Sequence, residues 1–478
     1  MDKSNSDAGS LKGAVKGAIG GAKVLGVFSL MMISIGSVLS VRNYPSMALY
    51  GWSSIGWYIF GAVCFLIPLT LASAELATGW HEEGGGVYSW VKAAWGPKSG
   101  FVAIFCEWSN NLVWFPTVLS YIAGSFAYAI NPDLAKDGWF IFTVMMISFW
   151  GCTAMAFLGS KVVSRFNNAG VLLGSIVPSI LLVVFGIAYL TQGKPLQIPA
   201  FTPSEIVPSI DSSTIPFMAT VVLLFAGMEM SGFHALEVRN PKRDYPRGMF
   251  LAVIVIIIIS VFGTLALSWV IPAKDVQLES GIMQAFETFS QTFNVQYLIK
   301  PLALLTSLGG IALMMNYLIG PILGLRATAA DGHVPKIVEK QNKRGVPTSM
   351  LILQGIITTC ISLLFVFMPS VNSAYWLLTA MTVAVLCIMY MLLFSSVIRL
   401  RFTKPNVERS FKIPGGKIGV FIIGGLGFFA TAFTFIVSFM PSSMSGTSIS
   451  FATYVIVMII GVAVMSLPPL FYMRFKKS

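Results

Sequence analysis

The feature that most constrains this chain is the recurrence, twelve times in 478 residues, of apolar runs long enough to cross a bilayer. A helix needs about 20 residues to span roughly 30 Å of hydrocarbon, and in that layer every backbone N–H and C=O must find its partner within the protein. The runs fall at residues 24–41, 54–77, 99–130, 139–159, 168–190, 215–237, 249–271, 301–326, 348–368, 374–398, 418–440 and 450–473. Only 10% of residues are charged and mean hydropathy is +0.80, where soluble chains carry charge on about a quarter of their residues. These features predict an all-α integral membrane protein with 12 transmembrane helices. They exclude a soluble enzyme tethered by one anchor. No loop is long enough for a separate soluble domain, and the less apolar stretch 272–299 accommodates a short surface helix.

The charge pattern gives the orientation. With the N-terminus placed inside, 26 of the 31 basic residues fall on the inner side and 5 on the outer, namely Arg42, Lys136, Lys194, Lys274 and Lys300. Basic residues accumulate on the cytoplasmic side of membrane proteins, so the bias predicts twelve spans with both termini cytoplasmic. An odd number of spans scrambles it. The net charge of +12 thereby records orientation, and nucleic acid is not an expected partner. Residues 1–23 are polar and basic with no small-residue cleavage site after them, so no cleaved leader is expected. Residues 474–478 form a short cytoplasmic C-terminus.

Cys64, Cys106, Cys152, Cys360 and Cys387 sit singly in apolar segments, which predicts neither a disulfide framework nor a zinc site. His81, His234 and His333 lie near span ends and read as interfacial residues. No metal and no cofactor are expected.

Charged and amide side chains inside hydrocarbon are expensive, so the few present are informative. Glu107 and Glu229 are the carboxylates farthest from any span end. Glu107, Asn110, Asn111 and Trp114 follow the i, i+3, i+4, i+7 spacing of one helical face. Such a face borders a water- or ligand-filled cavity, or else forms a hydrogen-bonding seam between helices. Two spans also carry small and polar interruptions: Ile33-Ser34-Ile35-Gly36-Ser37-Val38 in the first, and Phe225-Ala226-Gly227-Met228-Glu229-Met230-Ser231-Gly232 in the sixth. Paired interruptions five spans apart are the mark of an inverted-repeat transporter, whose half-helix ends meet near the midplane. There, free amides and a helix N-terminus receive a carboxylate, and free carbonyls receive an ammonium.

The loop motifs resemble those of the amino acid-polyamine-organocation superfamily, most closely its bacterial glutamate:GABA antiporter branch, over nearly the whole chain. Ala74-Glu75-Leu76-Ala77-Thr78 leads into Glu82-Glu83-Gly84-Gly85-Gly86-Val87-Tyr88-Ser89-Trp90 after span 2. Glu237-Val238-Arg239-Asn240-Pro241-Lys242-Arg243-Asp244-Tyr245-Pro246 follows span 6. Gly345-Val346-Pro347 precedes span 9, and Phe411-Lys412-Ile413-Pro414-Gly415-Gly416-Lys417 precedes span 11. Physically, the 84–86 glycines permit a tight turn, Asn240-Pro241 is expected to end a helix, and the adjoining charges, Glu237 and Arg243 among them, suit inner-gate ion pairs.

The resemblance implies a LeuT-like five-plus-five fold: a first repeat over 24–190, an inverted second repeat over 215–398, and peripheral spans over 418–473, working by alternating access. It implies a substrate site on spans 1, 3, 6, 8 and 10. On this chain that maps to Ser34, Ile35, Gly36 and Ser37; Asn110 and Trp114; Phe225, Ala226, Gly227 and Met228; Asn316 and Tyr317; and Thr382 and Tyr390. Glu107 and Glu229 are the expected coupling groups, and Tyr317 falls where the branch has an aromatic gate. Three departures stand out. The 107–111 stretch is more polar than expected for glutamate exchangers. No Lys or Arg is placed at mid-membrane, which favours a neutral or zwitterionic substrate, or a protonated acid. The chain stops soon after span 12, so the cytoplasmic plug and pH switch of the acid-resistance member are not expected.

The function expected is exchange of amino acids in the bacterial inner membrane, with membrane lipid as surroundings and homo-oligomers compatible. Proton- or sodium-coupled uptake is the near alternative, and an amino acid sensor, binding without flux, comes from a different class. An intramembrane enzyme is disfavoured, because no nucleophile-base pair flanks the polar face.

Overall fold

A computed structural model describes residues 26–80, 86–158, 163, 166, 169–209, 214–215, 217–230, 238–328, 340–342, 346–368, 370–441 and 450–475. All regular elements among them are helical. Ten helices are long and apolar enough to cross a membrane: Val27–Ala48, Ser53–Gly79, Pro97–Ile130, Gly138–Ala156, Ala169–Thr191, Arg243–Val270, Gln296–Arg326, Thr348–Phe367, Ser373–Thr403 and Gly416–Val437. An eleventh is the pair Phe451–Ser466 and Pro468–Arg474, bent by 47°. They coincide with eleven of the twelve apolar runs and keep those numbers here. The exception is span 6, where the helix Phe217–Leu224 stops after eight residues and the backbone leaves helical form.

Span 3 is the axis of the molecule. Eighty-three per cent of its apolar window is buried, against 33% for spans 4 and 11, whose apolar side chains face outward. Tight helix contacts are made where side chains are absent: a Cβ on Gly174 of span 5 would lie 2.2 Å from the Gly309 nitrogen of span 8. Small residues allow such backbone approach in membranes. Spans 2 and 5 each widen into a π-turn, Ala62–Leu66 and Leu172–Ile176, just before Pro68 and Pro178. The wide turn accommodates a ring that cannot donate the usual hydrogen bond.

The surface helix expected between spans 7 and 8 is Gly281–Phe293, ended by Asn294 in the left-handed region (φ 57°). Its Phe289 stacks on Phe185 of span 5 at 5.9 Å. Asn240-Pro241 behaves otherwise than expected. Asn240 is non-helical and Pro241 opens the long helix Pro241–Val270, because a proline in the first turn gives up a donor that has no intrahelical acceptor there.

Two motifs far apart in sequence are bonded together. Glu75 of span 2 is fully enclosed and takes Arg401 of span 10 in a two-pronged pair, Nε to Oε1 at 2.9 Å and Nη2 to Oε2. The Ile413 amide donates to the same Oε2 at 2.8 Å, and Arg409 Nε lies 3.3 Å from Oε1. One turn on, Thr78 Oγ1 accepts from the Phe411 amide at 3.2 Å. The segment before span 11 is thereby clamped to the end of span 2.

Candidate functional site

The two interrupted spans meet in the structure. In span 1 the helix Val27–Val38 runs through Ser34–Ser37 and gives way only at Leu39 and Ser40, both extended, before resuming through a short 3-10 turn. The expected unwinding at 34–37 is thus displaced by several residues. Ser37 satisfies its hydroxyl within the helix, on the Ile33 carbonyl at 3.0 Å, as hydroxyls in membrane helices do. Small polar residues therefore did not force a break. The released C-terminal carbonyl of Ser37 accepts a hydrogen bond from the Tyr317 hydroxyl of span 8 at 2.8 Å.

Span 6 breaks where expected. Gly227 has φ +115°, a conformation that side chains rarely adopt, and a Cβ there would lie 2.6 Å from Tyr317 Oη and 2.8 Å from the Ser37 oxygen. Glycine is required for both reasons. The Gly227 amide donates to Tyr390 Oη of span 10 at 3.1 Å and to Glu229 Oε2 at 3.2 Å, and Tyr390 donates to the same carboxylate oxygen at 3.0 Å. Spans 1, 6, 8 and 10 are thus joined at one point.

A polar cavity opens beside this junction. Its wall includes Ser37, Asn110, Trp114, Ala226, Gly227, Tyr317 and Tyr390, together with both expected coupling residues, Glu107 and Glu229. Trp114 packs on Tyr317 with ring centroids 4.8 Å apart. Glu107 is 4% exposed with both carboxylate oxygens unpartnered, and Asn110 Oδ1 is likewise free. Asn111 instead bonds back to the Glu107 carbonyl at 3.1 Å. The seam reading applies to the neighbouring residues: Trp108 donates to Gln354 of span 9 at 3.3 Å and Ser109 to the Met465 carbonyl of span 12 at 2.7 Å. Span 3 is therefore polar on two sides, one a seam and one the cavity.

Other expected site residues stand off the wall. Ser34, Ile35, Gly36, Phe225, Met228, Asn316 and Thr382 do not line it. Phe225 packs edge-on against Tyr58 at 5.9 Å. Thr382 is fully buried with its hydroxyl unpartnered. Asn316 is turned about 100° around the helix from Tyr317. Arg243 is exposed, and among the described residues its ion-pair partner is its neighbour Asp244 at 3.6 Å. Glu237 lies outside the described residues, as do the three histidines and residues 81–85.

The residue that sequence reasoning missed is Arg42. Assigned to an outer loop, it sits instead on the cavity wall at 3% exposure. Its Nη1 donates to Thr117 Oγ1 of span 3 at 2.8 Å and to Tyr375 Oη of span 10 at 3.2 Å. The Trp114 and Tyr375 rings flank it at 5.7 and 5.8 Å. A signal was present: no acidic residue occurs between Asp7 and Glu75, so this arginine has no local counter-ion. Val38, Ser40, Asn43, Asn111, Leu313 and Leu386 complete the wall.

Residues 25–463 match the family model described as amino acid permease. The chain is 31% identical to a glutamate/gamma-aminobutyrate antiporter of Lactococcus lactis over 453 residues, 94% of this chain and 90% of that one. It is 35% identical to an uncharacterized transporter of Legionella pneumophila, over 88% and 90% of the two chains. It is 24% identical to a probable agmatine/putrescine antiporter of Lactococcus lactis, over 83% of each.

Proposed function

The chain belongs to the amino acid permease family, and from that premise we propose that it exchanges amino acids across a bacterial inner membrane by alternating access. The observation that carries this reading is the meeting of two discontinuous spans at Gly227 and Ser37 beside a cavity lined largely by residues with polar side chains. Backbone groups at such breaks suit an amino acid's ammonium and carboxylate. Exchange, rather than one-way uptake, is supported by the names of the antiporter relatives. In this reading residues 24–190 and 215–398 are inverted repeats, residues 418–473 are peripheral, and the basic-rich face and both termini are cytoplasmic.

The site residues take roles accordingly. Ser37 and Ala226 offer backbone groups to the substrate, and Gly227 gives the break its shape. Asn110, Trp114 and Tyr390 form its side walls, and Tyr317 ties the two breaks together. Glu229 couples the Gly227 break to span 10 through the shared hydrogen bonds with Tyr390, so its occupancy and the helix movement are linked. Proton-coupled uptake draws support from one feature, the unpartnered Glu107 carboxylate.

Counterflow in proteoliposomes tests the reading. Liposomes loaded with one unlabelled amino acid are given a labelled panel outside, with sodium and pH varied. Exchange predicts that internal substrate accelerates uptake without sodium. Uptake that requires an ion gradient and ignores the internal substrate overturns exchange.

A further inference from the structure

We propose that Trp95, Arg399, Phe402 and Lys417 form a binding site for the phosphate of an anionic phospholipid, on the membrane-facing rim of the basic-rich side. The site is separate from the cavity and goes beyond the transport reading. All four residues lie where spans 3, 10 and 11 reach that rim. Trp95 ends the helix Val87–Trp95 just before span 3 begins at Pro97, Arg399 and Phe402 lie in the last turns of span 10, and Lys417 opens span 11. The Arg399 guanidinium lies over the Trp95 ring at 4.1 Å from its centroid, and the Lys417 ammonium over the Phe402 ring at 5.5 Å. Arg399 and Phe402, three residues apart, are neighbours on one face of span 10. The result is a row of ring, cation, ring and cation drawn from three parts of the chain.

Exposure and pairing set these cations apart from their neighbours. Arg401, two residues from Arg399 and so about 200° round the helix, turns inward to Glu75, and Arg409 joins it there. Arg399 and Lys417 are exposed instead, and among the described residues neither has a carboxylate oxygen within 4.0 Å. From Val371 to the end of the chain, nine Lys and Arg residues stand against one acid, Glu408. The accumulation of basic residues on one side of a membrane protein accounts for where these charges lie. It does not account for their seating on rings: Lys404 and Lys412, exposed on the same side, rest on none among the described residues.

The row suits a phosphate. A guanidinium presents a planar fork that matches two phosphate oxygens, and an ammonium adds a point charge beside it. The aromatic faces hold both side chains by cation-π attraction, which reduces the freedom a ligand has to remove on binding. Aromatic and basic side chains together mark the depth at which anionic headgroups lie. A lipid rather than a free phosphate is indicated by what adjoins the row: Ile418, Phe421 and Ile422, in the first two turns of span 11, are each more than half exposed. Phe421 stands one turn from Lys417 on the same face. A phospholipid meets both features, with its phosphate on the cations and its acyl chains on this apolar strip.

The test follows the unfolding midpoint of the full-length protein in neutral detergent as phosphatidylglycerol or phosphatidylcholine with the same acyl chains is added. Phosphatidylglycerol is expected to raise the midpoint at a concentration about tenfold or more below that needed for phosphatidylcholine, since each cation contributes about fivefold. Added salt is expected to shrink this advantage. Arg399→Gln combined with Lys417→Gln is expected to reduce it about tenfold or more. Lys274→Gln combined with Lys300→Gln, which removes the same charge from the opposite ends of the spans, is expected to keep it. Trp95→Leu leaves both cations and frees Arg399, for an expected loss of about two- to fivefold. Equal action of the two lipids on wild type overturns the proposal, as does an undiminished advantage in the Arg399 and Lys417 variant or an equal loss in the control pair. If the first variant does not fold, an unchanged advantage in Trp95→Leu overturns it. Inorganic phosphate that raises the wild-type midpoint as phosphatidylglycerol does overturns the lipid as occupant.

Discussion

Two buried charge clusters in this protein use the same chemistry to opposite ends. At the end of span 2, Glu75 is surrounded by Arg401, Arg409 and the Ile413 amide, and both its oxygens are occupied. Beside the span 1 and span 6 breaks, Arg42 and Glu107 are as deeply buried, yet neither has an ionic partner within the described chain. Because a buried charge is stable only when paired, the first cluster completes itself and holds the fold. The second is left without an ionic partner among the described residues, on the wall of the cavity. Satisfaction, more than burial or charge, separates the clamp from the site.

Substitutions at the two clusters should therefore behave differently. The largest effect is expected for Glu75→Gln, which strands two guanidiniums. A loss of about 3–5 kcal/mol is expected from breaking such a buried pair, read as a fall in the unfolding midpoint in detergent. A Glu75→Gln protein as stable as wild type would erase the distinction.

Glu279 sharpens the comparison from outside the spans. It precedes the surface helix Gly281–Phe293, is 3% exposed, and has Oε2 unpartnered. Burial pushes its carboxyl up to about 7. A carboxyl raised on folding binds more protons in the native state, so its contribution is fully present below the unfolded value of 4.5 and is lost as pH rises through 7. Relative to Glu279→Gln, the wild type should lose roughly 3 kcal/mol between pH 4.5 and pH 8. Parallel stability profiles for the two proteins would show that the carboxyl is not so held.

Gly227→Ala comes next, since the new methyl group meets Tyr317 Oη and the Ser37 oxygen in a backbone conformation closed to side chains. A cost of about 1–3 kcal/mol is expected, together with loss of most exchange activity; full activity would remove the junction from the mechanism. The smallest change in stability is expected for Glu107→Gln, within about 1 kcal/mol because no bond is broken. Its exchange rate should nonetheless fall, by about tenfold or more. A large loss of stability without loss of transport would mark Glu107 as a structural residue like Glu75.

Much of the cavity wall was legible before the fold was known, and the residues that fall elsewhere have physical causes. Glu107, Asn110 and Trp114 were found because helical spacing alone puts them on one face. Gly227 and Glu229 were found because a glycine beside a carboxylate in an apolar run signals a break. Ser34–Ser37 misled, since a hydroxyl that bonds to its own helix leaves the helix whole. Thr382 and Asn316 were assigned by span membership, which does not specify which way a side chain faces. Arg42 was missed because its place depends on where the chain turns after Leu39.

What the sequence determined by itself is the material of the molecule: helices through a membrane, their approximate ends, and the charge bias between its faces. These follow from hydropathy and backbone hydrogen bonding, which act over about 20 residues at a time. Only the tertiary structure decided which buried charges meet. Glu75 finds Arg401 across 326 positions of chain, and Arg42 finds Tyr375 across 333 with no acid paired to it among the described residues. Pairing depends on distances between helices, which no local pattern encodes, and it makes one cluster a clamp and leaves the other unpaired on the cavity wall.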